Sequence, residues 1–106
     1  MVWSLAAFDR LEWQPGNHPL ERKKVADAGL CMLRFEPGFE DPSWCERSHL
    51  LYVLEGVLTI ELDDRQLEVA AGQALWLDPG TRHRASVRHD AAAVVLAASD
   101  RSRLHA

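Results

Sequence analysis

Turn residues cut the apolar part of this chain into runs of about four to eight residues, a length that suits strands and falls short of helices. "LCMLRFEPG" sets Cys31, Leu33 and Phe35 on one parity against Leu30, Met32 and Arg34, then stops at Pro37 and Gly38, which do not extend a paired strand cheaply. "HLLYVLEG" and "VLTIEL" form a longer extended stretch interrupted at Gly56, the mark of a bulge or a sharp bend. "DDRQ" supplies a hairpin turn, "LEV" resumes the strand, "AAGQ" turns again, and "ALWL" runs into Asp78, Pro79 and Gly80. "HRASV" and "AVVLAA" follow, separated by a turn at His89 and Asp90. With further strands around Leu11–Trp13 and Glu21–Val25 the total reaches about eight to ten, the pattern of a sandwich or barrel. The prediction is all-β, and no stretch keeps a helical apolar period beyond about two turns.

The chain has 106 residues, 47% of them hydrophobic, enough for one compact domain with an ordinary core. Sixteen acidic residues outweigh 12 basic ones for a net charge of −4, which disfavours nucleic acid as a partner because phosphate neutralisation needs clustered positive charge. The longest apolar run, "AAAVVLAA", falls far short of the roughly 20 residues that span a bilayer, so no membrane insertion is expected. The N-terminal "MVWSLAAFDR" has no basic region and reaches Asp9 and Arg10 early, which points to a cytoplasmic, reducing location. There Cys31 and Cys45 are expected as free thiols or ligands.

Two stretches carry a family resemblance. Gly72, "QALWLDP", Gly80 and then His83 three residues later, together with "YVLEG" leading into an alternating strand, resemble the cupin family over roughly Leu30 to Ala98. The resemblance implies an antiparallel double-stranded β-helix, the jelly-roll or cupin barrel. Residues 29–98 would form that barrel, 1–28 would be N-terminal strands or an arm packing on the barrel or on a dimer partner, and 99–106 a C-terminal tail. Val87 stands where the second motif usually has Asn. Anchoring the first motif on Gly56 puts His49 at its Glu position, Cys45 at its second His and Ser43 at its first His. The family spacing survives while the ligand types change.

Ser43, Cys45 and His49 share a strand parity, and His83 can meet them from a neighbouring strand. Four residues of straight strand cover about 13 Å, whereas two ligands of one ion lie within about 4 Å of each other. A shared ion therefore demands a bend within Glu46, Arg47 and Ser48, whose polar side chains suit one. A thiolate with two imidazoles suits a divalent transition metal, Zn²⁺ first, with Ni, Cu or Fe as further candidates, better than Mg²⁺ or Ca²⁺. Three such ligands leave one position open. Ser43 is a poor ligand, and Glu40 or Asp41 can serve only if the preceding loop folds over the mouth.

Blander readings stand beside these. Cys45 can be a buried thiol, His49 an interior histidine hydrogen-bonded by Ser43 or backbone, and His83 the residue that orients the turn after Gly80. Ser43, Tyr52 and Trp76 are candidates for lining a pocket, although aromatic residues are more often core. Trp44 has the opposite parity to Cys45 and points outward if the thiol points in; Arg82, Arg84 and Arg88 likewise lie outside the cavity. Trp3 and Trp13 are expected to shield barrel edges. Cys31 is adequately explained as a buried thiol, and His18, His89 and His105 receive no role.

Three functions remain open at this point. One is a homodimeric binding module for a small-molecule ligand or a metal ion. The second is a metal-dependent enzyme of oxygenase or isomerase type on a small organic substrate, with Glu40, Glu46 and Tyr52 as the only acid or base candidates. The third is a metal-free structural or regulatory dimer.

Overall fold

Alternation decides the strands. The computed structural model of the protein describes residues 3, 5–26, 29–47 and 49–98, apart from the side chain of Ala98. Nine strands form among them: β1 (Gln14–Pro15), β2 (Glu21–Val25), β3 (Leu30–Phe35), β4 (His49–Glu55), β5 (Val57–Glu61), β6 (Gln66–Ala70), β7 (Ala74–Leu77), β8 (Arg84–Ser86) and β9 (Ala92–Ala98). They make two antiparallel sheets, a six-stranded one in the order β1-β2-β3-β9-β4-β7 and a three-stranded one in the order β6-β5-β8. Phe8–Arg10 forms a single 3-10 turn. No helix among the described residues is long and apolar enough to cross a membrane.

In β4 the alternation holds from Leu50 to Leu54: Leu51 and Val53 are buried, while Leu50, Tyr52 and Leu54 are exposed. The inner row continues across the sheet, since Val53 opposes Val94 and Val94 opposes Leu33. Leu58, Ile60, Val69 and Val87 close the core from the small-sheet side. Burial of each such side chain stabilises the fold by about 1.5–3 kcal/mol.

Gly56 (φ 75°) separates β4 from β5, and those two strands belong to different sheets. The expected bend is thus the corner at which the chain changes sheets. The first strand lies at Gln14–Pro15 rather than Leu11–Trp13. Pairing with β2 places it, Gln14 opposite Lys23 and Pro15 opposite Arg22, and Pro15, which lacks an N–H, suits an edge strand of two residues. Trp13 lies under the Lys24 ammonium, 4.9 Å from the ring centre. Trp3 is 80% exposed, so it shields no edge. The expected tail at 99–106, His105 included, lies outside the described residues.

Candidate metal centre

Cys45 and His83 face each other through a pair of backbone hydrogen bonds. The Cys45 N–H donates to the His83 carbonyl at 2.8 Å, and the His83 N–H returns one to Cys45 at 2.9 Å. Directly opposed antiparallel residues present their side chains on one face. The segment before Cys45 runs along the same ladder, with Glu40 bridged to Ser86 and the Asp41 N–H donating to the Ala85 carbonyl at 2.9 Å. It therefore extends the small sheet beyond β8.

His49 belongs to the other sheet, where it opens β4 opposite Leu77 and Ala98. Between Cys45 and His49 the chain crosses from one sheet to the other, so their side chains meet although a straight strand would hold them about 13 Å apart. Cys45 Sγ lies 3.5 Å from His49 Nε2. The turn is held by the Gly80 N–H donating to the Glu46 carbonyl at 3.0 Å and by the Arg47 N–H, 3.5 Å from Cys45 Sγ. Ser48, the third residue of the expected bend, lies outside the described residues.

Ligand atoms of Cys45, His49 and His83 all lie within 4.8 Å of one another. The His83 Nδ1–H donates to the Thr81 carbonyl at 2.9 Å, which fixes the tautomer and leaves Nε2 with its lone pair free for a ligand role. The two imidazoles are nearly perpendicular, 88° between planes, with centroids 5.2 Å apart. Burial holds the His49 ring below the ordinary histidine range, and the nearby His83 and Arg47 push it the same way. A neutral imidazole is the form that ligates. His49 Nδ1 is buried with no hydrogen-bond partner, so the partner set of this ring is incomplete within the chain.

These residues fit a transition-metal ion. Zinc bonds of about 2.0–2.1 Å to nitrogen and 2.3 Å to sulfur imply tetrahedral edges of roughly 3.3–3.6 Å, and the Cys45–His49 edge has that length. One thiolate with two imidazoles is a borderline-soft donor set that matches Zn²⁺ and its neighbours in the series rather than Mg²⁺ or Ca²⁺.

The three side chains lie in the wall of a cavity of about 460 Å³ between the sheets. Much of the wall is apolar, including Leu33, Leu51, Leu58, Ile60, Val94 and Leu96, and Ser43 and Cys31 also line it. Burial first, and then Glu21, raises the Cys31 thiol above its ordinary range, with Lys23 opposing, which keeps it protonated and unreactive. Tyr52 and Trp76 stand elsewhere. Tyr52 alternates with inward Leu51 and Val53 and is 43% exposed, and Trp76 opposes the exposed Leu50 while its indole N–H donates to Asp78 Oδ1 at 2.7 Å. Both therefore lie on the outer face of the large sheet. Trp44 faces away from the cavity, its ring 4.4 Å from the Arg82 guanidinium and 4.9 Å from that of Arg84. Arg84 also pairs with Glu61 at 2.8 Å.

Two further polar groups reach the cavity: Asp41, whose part depended on the loop before Ser43 folding inward, and Lys23, to which the sequence pointed no role. The loop does fold inward at Asp41, whose Oδ2 accepts the Ala85 N–H at 2.8 Å. Burial raises its carboxyl above the ordinary range, although the Ala85 hydrogen bond and His83 oppose the shift. Glu40 and Glu46, in contrast, are exposed and do not line this cavity. The second is Lys23 on β2, which lines the cavity beside Glu21 and Asn17. Its signal was present, since β2 alternates Glu21, Lys23 and Val25 on one side, but which side faces inward depends on Val25 opposing Cys31.

A cupin domain family model matches residues 31–99, well over half of the chain. Among solved structures, the polyketide cyclase RemF from Streptomyces resistomycificus is 20% identical with a TM-score of 0.72, covering 90% of this chain and 78% of that one. KdgF from Halomonas sp. is 18% identical with a TM-score of 0.68, covering 94% and 99%. The Drosophila melanogaster CENP-C cupin domain is 16% identical with a TM-score of 0.70, covering 91% and 80%. At such identities these likenesses speak to fold alone. No curated protein matches the chain.

Proposed function

The chain belongs to the cupin family, and from that premise we propose that it is a cytoplasmic, homodimeric small-molecule binder that holds a divalent transition-metal ion, zinc foremost, on Cys45, His49 and His83. The observation that carries the reading is the crossing between sheets that brings the Cys45 sulfur to 3.5 Å from a His49 nitrogen and within 4.8 Å of the His83 ligand atom. A bound ion there supplies Lewis acidity to a ligand atom in the cavity. The chain's own contribution is to fix the His83 tautomer through Thr81, to keep His49 neutral by burial, and to surround the site with apolar wall that limits water.

Metal analysis of tag-free protein beside Cys45→Ala and His83→Ala variants tests this. Near-stoichiometric metal in the parent and its loss from both variants is expected; a metal-free parent after loading refutes it. The enzyme reading is favoured by one further observation. Asp41 lies in the same cavity with Oδ2 on the Ala85 N–H, a placement suited to moving a proton to or from a bound ligand.

Dimerisation is supported by the outer face of the large sheet. There Met32, Val95 and Tyr52 form one cross-strand row, and Leu30, Ala97, Leu50 and Trp76 form another. An apolar face of this kind suits an interface between copies of the chain. Sedimentation should give a dimer that Tyr52→Glu converts to monomer; a monomeric parent at micromolar concentration refutes the pairing.

A further inference from the structure

We propose that the cavity takes a carboxylate, or a comparable monoanion with an apolar body, and that Lys23 selects for the charge. This deepens the proposed small-molecule role and rests on it, the ion site supplying only the far pole of the ligand.

Lys23 sits in the inner row of the large sheet, opposite Leu33, which opposes Val94, which in turn opposes Val53. Toward the centre of the sheet its neighbours in that row are apolar, Gln14 flanks it on the edge side, and the side chain is half-buried and lines the same cavity as Cys45, His49 and His83. Removing an ammonium from water is costly, so inward lysines are ordinarily paired. Yet no ion pair among the described residues involves Lys23. The next residue shows the contrast. Lys24, on the opposite face, donates from Nζ to the Phe8 carbonyl at 2.9 Å and covers the Trp13 ring. The outward lysine has partners within the chain, and the inward one has none of comparable quality.

The two carboxylates of the cavity wall are engaged elsewhere. Glu21 Oε2 accepts the Asn17 N–H at 2.6 Å, with the rest of its carboxyl end folded against Gly16. Asp41 Oδ2 accepts the Ala85 N–H at 2.8 Å. Neither neutralises Lys23 by direct contact.

Geometry sets the shape of the ligand. Lys23 is three strands from β4, and His49 is four residues along β4 from Val53, which in a flat sheet amounts to about 14 Å across and about 13 Å along. Sheet curvature and the two side chains shorten that span, and Leu33, Leu51 and Leu96 lie between the poles. The cavity therefore has the Lys23 ammonium at one end, with the Glu21 carboxylate beside it turned to the Asn17 N–H, an apolar middle, and the candidate ion at the other end. A ligand that fits is elongated, with an anionic group for Lys23, a hydrocarbon or aromatic body, and a donor atom toward the ion. The volume of about 460 Å³ suits a small organic acid.

Calorimetric titration of zinc-loaded and of chelator-stripped protein with 4-hydroxycinnamate, and separately with uncharged 4-hydroxycinnamamide, tests the assignment. The carboxylate should bind at least about tenfold more tightly than the amide in the parent, the size expected of a hydrogen bond to a charged group. Lys23→Met should abolish that preference while leaving zinc content unchanged, and Lys23→Arg should keep it. Equal affinity for the two probes, no measurable binding of either, or a preference that survives Lys23→Met would overturn the proposal. Zinc content is read separately from the preference, and the stripped protein reads the preference without zinc. Preference without zinc binding would therefore refute the ion centre alone, and zinc binding without preference would refute this proposal alone.

Discussion

Gly56→Ala should be among the most damaging single-methyl additions available to this fold. At φ 75° the residue occupies the left-handed region, where an L side chain costs about 1–2 kcal/mol. The added Cβ would also press on the Ala91 carbonyl oxygen, and it would stand 3.1 Å from Ala92 Cα and 3.2 Å from the Ala91 carbonyl carbon. All three are backbone atoms at the start of β9, so relief requires moving a strand rather than rotating a side chain. Overpacking of this kind costs about 1–3 kcal/mol, which brings the total to about 2–5 kcal/mol. Gly72 is the control: its φ is 87° and nothing lies within 4 Å of the equivalent Cβ, so Gly72→Ala should show only the conformational cost of about 1–2 kcal/mol. Urea unfolding followed by circular dichroism measures both, at equal slope so that midpoints compare directly. A Gly56→Ala midpoint equal to that of Gly72→Ala would refute the claim that the corner is packed against β9.

Two other outcomes follow from the site and its surroundings. Burial raises the Asp41 carboxyl above its ordinary 3.8, and a carboxyl raised on folding contributes stability that is complete below the unfolded value and is lost as pH climbs through the folded value. Asp41→Asn keeps an oxygen for the Ala85 N–H but does not titrate, so its stability relative to the parent should rise from below pH 3.8 toward neutrality; a flat or falling difference in chemical denaturation contradicts the buried placement. Trp44→Leu removes the ring that lies against Arg82 and Arg84 and should cost about 1 kcal/mol without altering metal content, whereas loss of metal would mean that Trp44 faces the site after all.

Much of the sheet was legible because alternation is a local property. His49, Leu51 and Val53 share one parity and Leu50, Tyr52 and Leu54 the other, and the core follows that division. The same rule already placed Tyr52 opposite to His49. Trp76 was harder, because its facing depends on pairing with Leu50, and register between distant strands is not written in either strand alone. Lys23 was missed for the same reason. The convergence of Cys45 with His49 was legible only as a requirement for a bend; that the bend is a passage between sheets follows from the Cys45–His83 ladder pairing. Asp41 depended on loop placement, which no periodicity controls, and the position of β1 on pairing with β2, which local propensity around Trp13 and Pro15 does not reveal.

Cobalt(II) titration of chelator-stripped protein reads the donor set most directly. With one cysteine and two histidines closing on the ion, the parent should develop thiolate-to-cobalt charge-transfer absorption and the intense visible bands of a four-coordinate site at one equivalent. Cys45→Ser should lose the charge-transfer band while its circular dichroism stays that of the parent. Weak octahedral absorption in the parent, or a charge-transfer band that persists in Cys45→Ser, would contradict a centre built on Cys45.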